Sequence, residues 1–297
     1  MFKRLLVPLD GSDIAAVAAI YAQSIPSERV CLLTVLSDED AGIGFAPAGV
    51  QEEWRQEWRD AVCARLAGIA EPLELEGRDV EIEVVFGRPA EWIETYARDA
   101  DLIIMTTHGR GAGERLVLGS VADRVARTSP APVMLIRGGE DPVAAQAIVR
   151  LVVGLDGSDL AEQALPFVQQ LAMNLNVPVL LTRVVDIEQA LVAAQRATIP
   201  VARFAGTPEL IREGIDDYLQ SEAAPLIDAG VDVETAVIEG EPAPALNAAL
   251  LPGDVLVLTS HGRGGLGRWM LGSVTEKLVR QGHTPVIVIR SQPSSES

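Results

Sequence analysis

The chain has 297 residues, 48% of them apolar and 22% charged, with 42 acidic against 24 basic side chains for a formal net charge of −18. That length accommodates two ordinary domains of about 150 residues, each able to bury a core. No apolar run reaches the roughly 18 residues of a membrane-spanning helix, and an acidic surface shared by both halves repels nucleic acid and anionic lipid, so neither nucleic acid nor membrane is an expected partner.

The opening segment, MFKRLLVPLDGSD, sets basic residues before an apolar run that Pro8 and Asp10 cut short of a secretory core. It reads as a first strand over 3–9, followed by a helix over about 13–24. A second strand over 30–36 contains Cys31; after a variable loop, SDEDAGIGFAPAGV (37–50), a helix over 51–70 contains Cys63. The periodicity around 52–59 marks an amphipathic helix with a solvated acidic face. Trp54 and Trp58, like Trp92 and Trp269, are expected to bury against neighbouring helices. A strand over 80–86, a helix over 89–99, a strand over 101–106, a helix over 120–128 and a strand over 132–137 complete the half. The two cysteines have no partner pattern or metal-ligand spacing, which predicts packing roles in a reducing, cytoplasmic compartment.

The segment GGEDPVAAQA (138–147) has the composition of a linker, and the same succession then begins again. LVVGLDGSDLAEQA (151–164) answers LLVPLDGSDIAAVA (5–18), and AVIEGEPAPAL (236–246) answers VVFGRPAEWI (84–93). SHGRGGLGRWMLGSV (260–274) answers THGRGAGERLVLGSV (107–121), and TPVIVIR (284–290) answers APVMLIR (131–137). Strands are expected over 150–155, 178–185, 231–238, 254–259 and 285–290, with helices between and a second variable loop over 186–208. Four motifs in one order indicate a tandem duplication, with domains at 1–140 and 148–292.

Val, Ile and Leu dominate the strand segments without polar alternation, as in strands covered on both faces. Strands joined by helices pair in parallel through right-handed crossovers, so each half is predicted to be an open, five-stranded α/β sheet with helices on both faces, taken in the order 3-2-1-4-5. Such sheets bind ligands beyond the carboxyl ends of the strands, where the order reverses. That point lies between strands 1 and 4, and the two strongest motifs, LDGSD and HGRG, follow those strands. A pseudo-twofold packing of the halves within the chain is expected, with PVMLIR and PVIVIR at the interface because their apolar edge invites aggregation when open. A homodimer of whole chains is compatible with it.

A phosphate chain needs several backbone N–H donors that approach without an intervening Cβ. Gly109 and Gly262 offer that access after strand 4. Further on, Gly119-Ser120 and Gly272-Ser273 stand before a helix, with the serines as expected N-caps and the helix N-terminus as anion site. Arg110 and Arg115, or Arg263 and Arg268, offset phosphate charge. Asp10 and Ser12, with Asp156 and Ser158, leave strand 1; a carboxylate there either accepts a sugar or base hydrogen bond or holds magnesium. His108 and His261 read as residues that hydrogen-bond the loop, and His283 as a surface residue.

These residues resemble the universal stress proteins in their tandem form, which have the adenine nucleotide alpha-hydrolase-like fold. The family's nucleotide-binding members carry Gly-x-x-Gly, nine residues, Gly-Ser or Gly-Thr, and an Asp after strand 1. Gly109 with Gly119-Ser120, and Gly262 with Gly272-Ser273, match in both halves, while Thr106 and Thr259 replace the first glycine. The resemblance implies ATP as ligand, with magnesium, and a strand 2 backbone contact to adenine at Val35 and Val184. The candidate contacts in the first half are Pro8, Leu9, Asp10, Ser12, Val35, Thr106, His108, Gly109, Arg110, Gly119, Ser120 and Val121. In the second half they are Gly154, Leu155, Asp156, Ser158, Val184, Thr259, His261, Gly262, Arg263, Gly272, Ser273 and Val274.

No residue is assigned a catalytic role, and no protein metal site is expected. GRGGLG (262–267) satisfies the dinucleotide fingerprint by accident, since it follows strand 4 and the first copy breaks at Glu114. No P-loop occurs, and the only lysines are Lys3 and Lys277. A binding module for stress response or energy sensing is the favoured role. The alternatives are a slow ATP hydrolase or autophosphorylating enzyme, and a scaffold without ligand, which Thr106 and Thr259 would suit.

Overall fold

The short apolar runs form strands close to their expected positions in a computed structural model, which describes residues 1–38, 42–43, 47, 49–107, 118–137, 147–188, 207–260 and 271–290. The expected linker, except its last residue, and most of the loop over 186–208 lie outside the described residues. Contacts within the chain divide it into two units, Met1–Ala147 and Ile148–Ser297.

The first unit runs β1 (Phe2–Pro8), α1 (Asp13–Ser24), β2 (Ser27–Leu36), α2 (Gln51–Leu75), β3 (Asp79–Phe86), α3 (Pro89–Tyr96), β4 (Leu102–Thr106), α4 (Ser120–Thr128) and β5 (Val133–Ile136). A short 3-10 turn, Ala97–Asp99, extends α3. The strands are parallel in the order β3-β2-β1-β4-β5. The second unit runs β6 (Arg150–Gly154), α5 (Asp159–Glu162), α6 (Leu165–Leu175), β7 (Val179–Val185), α7 (Pro208–Asp228), β8 (Val233–Glu239), α8 (Pro242–Ala249), β9 (Asp254–Thr259), α9 (Ser273–Gln281) and β10 (Val286–Ile289). Its order, β8-β7-β6-β9-β10, is the same arrangement.

Central strands are buried along both faces: Leu5, Leu6 and Val7 of β1 and all of β4 are inaccessible to solvent or nearly so. The outer strands β3 and β8 correct the uniform expectation, because only one edge of each is paired and most of their side chains are half-exposed. Glu81 and Glu83 lie there, and Arg4 donates to Glu81 at 2.7 Å.

The helix expected to end at 70 continues to Leu75 through Pro72. Proline removes one intrahelical hydrogen bond and crowds the preceding turn, and α2 ends three residues later. α7 repeats this with Pro225 three residues before its last residue, Asp228. After both helices the chain leaves through a glycine at positive φ, Gly77 at +81° and Gly230 at +89°, a region that Cβ-bearing residues avoid.

Trp54 and Trp58 do not bury as expected; they are 40% and 37% exposed. Arg55 and Arg59, one turn apart on α2, each place a guanidinium 5.7 Å from the centre of the Phe86 ring and so take the face toward β3. Residues 54 and 58 sit one step round the helix and face water.

Candidate functional site

The turn after strand 1 is built alike in both units. Leu9 N–H donates to Leu33 O of β2 at 2.8 Å, and Leu155 N–H to Thr182 O of β7 at 2.8 Å, so the chain stays in the sheet for one residue past Pro8 or Gly154. Asp10 Oδ1 then accepts from the Ser12 amide at 2.9 Å and the Ser12 hydroxyl at 2.7 Å. Asp156 Oδ1 accepts the same pair from Ser158 at 3.1 and 2.5 Å. The intervening Gly11 and Gly157 have φ near +80°, at +80° and +77°. Ser12 and Ser158 cap α1 and α5 by accepting from Ala15 N at 3.1 Å and Ala161 N at 3.3 Å. These serines therefore serve as caps, a role the sequence reading gave to a different pair.

That other pair, Ser120 and Ser273, is the first helical residue of α4 and α9 and not the cap. Gly119 (φ −59°, ψ 145°) and Gly272 (φ −57°, ψ 146°) occupy the cap positions, and no side chain caps either helix among the described residues. The serine backbone has already turned helical, which carries its hydroxyl past the position that accepts from the first turn. Ser120 and Ser273 are exposed, whereas Val121 and Val274 are half-buried.

The spacing of the glycine motif acquires a structural meaning here. Thr107 N–H donates to Ile136 O at 2.8 Å, and its carbonyl accepts from Gly119 N at 2.8 Å; Ser260 repeats this with Ile289 O and Gly272 N, each at 2.7 Å. The segment that leaves strand 4 thus returns to the residue from which it started and delivers a helix N-terminus there. His108, Gly109, Arg110 and Arg115, with His261, Gly262, Arg263 and Arg268, lie inside these loops and outside the described residues. Thr106 and Thr259, in place of the family glycine, end β4 and β9 as buried residues, 8% and 7% exposed. Thr259 O accepts from the Thr275 hydroxyl at 3.1 Å.

β1 pairs with both β2 and β4, and β6 with both β7 and β9, all in parallel. The Asp turn, the glycine-bounded loop and Val35 or Val184 consequently belong to one carboxyl edge in each unit. Val35 pairs with Val85 and Val184 with Ile238, near the ends of their strands, and both are half-buried. Among the described residues, no three His, Cys, Asp or Glu side chains gather as a metal site.

One residue at this edge escaped the sequence reading. Thr34, buried in β2, donates to Leu9 O at 2.9 Å; its counterpart in β7, one residue past the carbonyl that receives Leu155 N–H, is Arg183. A Cβ built on Gly157 would lie 2.6 Å from Arg183 Nη1 and 3.0 Å from Cζ, so the guanidinium rests against the Asp turn of the second unit. Its other neighbour is Tyr218 of α7, with the ring centre 5.3 Å from Cζ. Tyr218 donates to Glu162 Oε1 at 3.0 Å, and burial, aided by Glu162, pushes its phenol above the usual range. Pairing Val35 with Val184 already sets Thr34 opposite Arg183 in the sequence, but the resting place of the guanidinium on Gly157 is a tertiary feature.

Two copies of one parallel five-strand arrangement, each reversing its strand order beside an aspartate turn and a glycine-bounded loop, define a tandem α/β protein of the adenine nucleotide alpha-hydrolase-like fold. The chain belongs to the universal stress protein family, whose sequence profile matches residues 1–137 and 148–290. A universal stress protein of Mycobacterium tuberculosis is 26% identical over 295 residues, covering 96% of each chain. One from Methanocaldococcus jannaschii is 32% identical over 146 residues, covering 46% of this chain and 83% of its own. The crystal structure of a universal stress protein from Archaeoglobus fulgidus superposes with a TM-score of 0.65 at 19% identity, covering 97% of this chain and 98% of that one.

Proposed function

We propose that each unit binds an adenine nucleotide, ATP with magnesium, at the carboxyl edge where strand 1 meets strand 4, and that the chain is a cytoplasmic stress-response or energy-sensing binding module. The observation that carries this reading is the closure of both loops, Gly119 N to Thr107 O and Gly272 N to Ser260 O. Each closure sets a glycine cap and a first helical turn without a side-chain cap beside the aspartate turn. Polyphosphate placed there meets backbone donors, the positive end of a helix dipole and no Cβ at the cap. Magnesium would be held mainly by phosphate oxygens, with Asp10 or Asp156 as the protein carboxylate.

The lysines favour binding over rapid phosphoryl transfer. Lys3 starts the first strand, far along it from the carboxyl edge, and Lys277 pairs with Glu241 at 2.7 Å. Neither stands where a P-loop lysine would reach phosphate. Titration calorimetry of the full chain with ATP and magnesium should give two nucleotides bound per chain with micromolar affinity, about −8 kcal/mol each. Phosphate release should stay below about 1 per second. A flat isotherm would refute the proposal.

A further inference from the structure

The two loops carry arginines at matching places, Arg110 with Arg263 and Arg115 with Arg268, and differ in charge only at Glu114, which is Gly267 in the second loop. Strand 2 adds a further difference. In the first unit Thr34 is buried and spends its hydroxyl proton on Leu9 O, bringing no charge to the edge. In the second, Arg183 lays a permanently charged fork against Gly157, between Asp156 and Ser158 in sequence.

Tyr218 supports the guanidinium from its ring face. The nearby acid, Glu162, takes its hydrogen bond from the Tyr218 hydroxyl and forms no salt bridge with Arg183. No hydrogen bond or salt bridge holds the Arg183 guanidinium among the described residues, although the side chain is half-buried. A half-buried fork of five donors with no protein acceptor is open to an acceptor from outside, and its planar geometry matches phosphate oxygens.

We propose that Arg183 is a specificity-determining residue of the second unit: it reads a phosphate group of the bound nucleotide and makes the two sites unequal. This rests on the nucleotide reading above. Phosphorylated ligand gains from Arg183, whereas the uncharged nucleoside does not, and the first unit lacks the contact.

The test is calorimetric titration of the full chain and of Arg183→Thr, which installs the first unit's residue, with magnesium ATP, together with thermal melts in millimolar adenosine. The substitution should weaken one site per chain about tenfold and leave the other unchanged, with the adenosine melt shift the same in both proteins. Arg183→Lys should recover part of the loss, since it keeps the charge but not the fork. If Thr opens a gap beside Gly157 and lowers the melting temperature, Arg183→Gln keeps the stem without the charge and is judged by the same outcomes. Unaltered ATP affinities, or an equal loss with adenosine, would overturn the role of Arg183 while nucleotide binding stands. Absence of ATP binding by the parent protein would remove both.

Discussion

Burial and local charge decide how several single residues behave. Cys31 is fully buried in β2, and desolvation pushes its thiol up to about 11, so it packs rather than reacts. At the end of α3, Tyr96 is driven to about 12, first by burial and then by Glu83 of β3, to which it donates at 3.1 Å. A phenol whose folded pKa exceeds its unfolded value of 10.0 contributes stability that is complete below pH 10 and is lost as pH rises toward 12. Melting temperature should therefore fall across that window, and Tyr96→Phe should make the fall shallower. The serine pairs show the limit of residue-level reading: Ser12 and Ser158, expected as ligand contacts, also cap helices, while the capping expected of Ser120 and Ser273 falls to Gly119 and Gly272. Both pairs precede an apolar helical segment, and only the backbone angles at Gly119 and Gly272 separate them.

At the scale of elements, the duplication keeps strand order, helix ends and turns but fastens them differently. Asp101, just before β4, accepts the Lys3 and Arg4 amides on Oδ2 at 2.6 and 2.9 Å. Its counterpart Asp254, at the start of β9, grips Arg150 of β6 through two hydrogen bonds of 3.0 and 2.7 Å and also accepts Leu251 N–H at 2.8 Å. Asp254 is 3% exposed, so its removal leaves a partly buried guanidinium without its partner. Asp254→Ala should cost about 3 kcal/mol, measured as a lower denaturant midpoint with an unchanged slope. The first helix also diverges: α1 is continuous over 12 residues, whereas the second unit breaks after Glu162 and restarts as α6 with Pro166 in its first turn. Proline is tolerated there because the first-turn N–H has no helical acceptor.

For the whole molecule, two proposed sites on one chain couple ligand concentration to stability. A ligand that binds only the folded state stabilises by mass action, about 2.7 kcal/mol at one hundred times its Kd. Saturating ATP with magnesium should raise the melting temperature by roughly 5–10 °C for units of this size, read by calorimetric scanning. Adenosine should give a smaller shift, because it engages neither helix N-terminus through phosphate. An acidic chain of net charge −18 gathers the anion through local donors rather than its overall field, so the ATP response should weaken with salt less than that of a polybasic binder.

The sequence by itself determined the duplication, the strand positions to within a few residues, the parallel α/β class and the strand ends that the motifs follow. Those features follow from apolar periodicity, glycine placement and the handedness of crossovers, all of which are local or topological. Only the tertiary structure decided which serines cap, that a carboxylate oxygen of Asp10 and of Asp156 is committed to a turn, that Trp54 and Trp58 face water, and that Arg183 lies on Gly157. Each of these depends on one residue's backbone angles or on segments distant in the chain approaching within a few ångströms, and neither composition nor spacing encodes that approach.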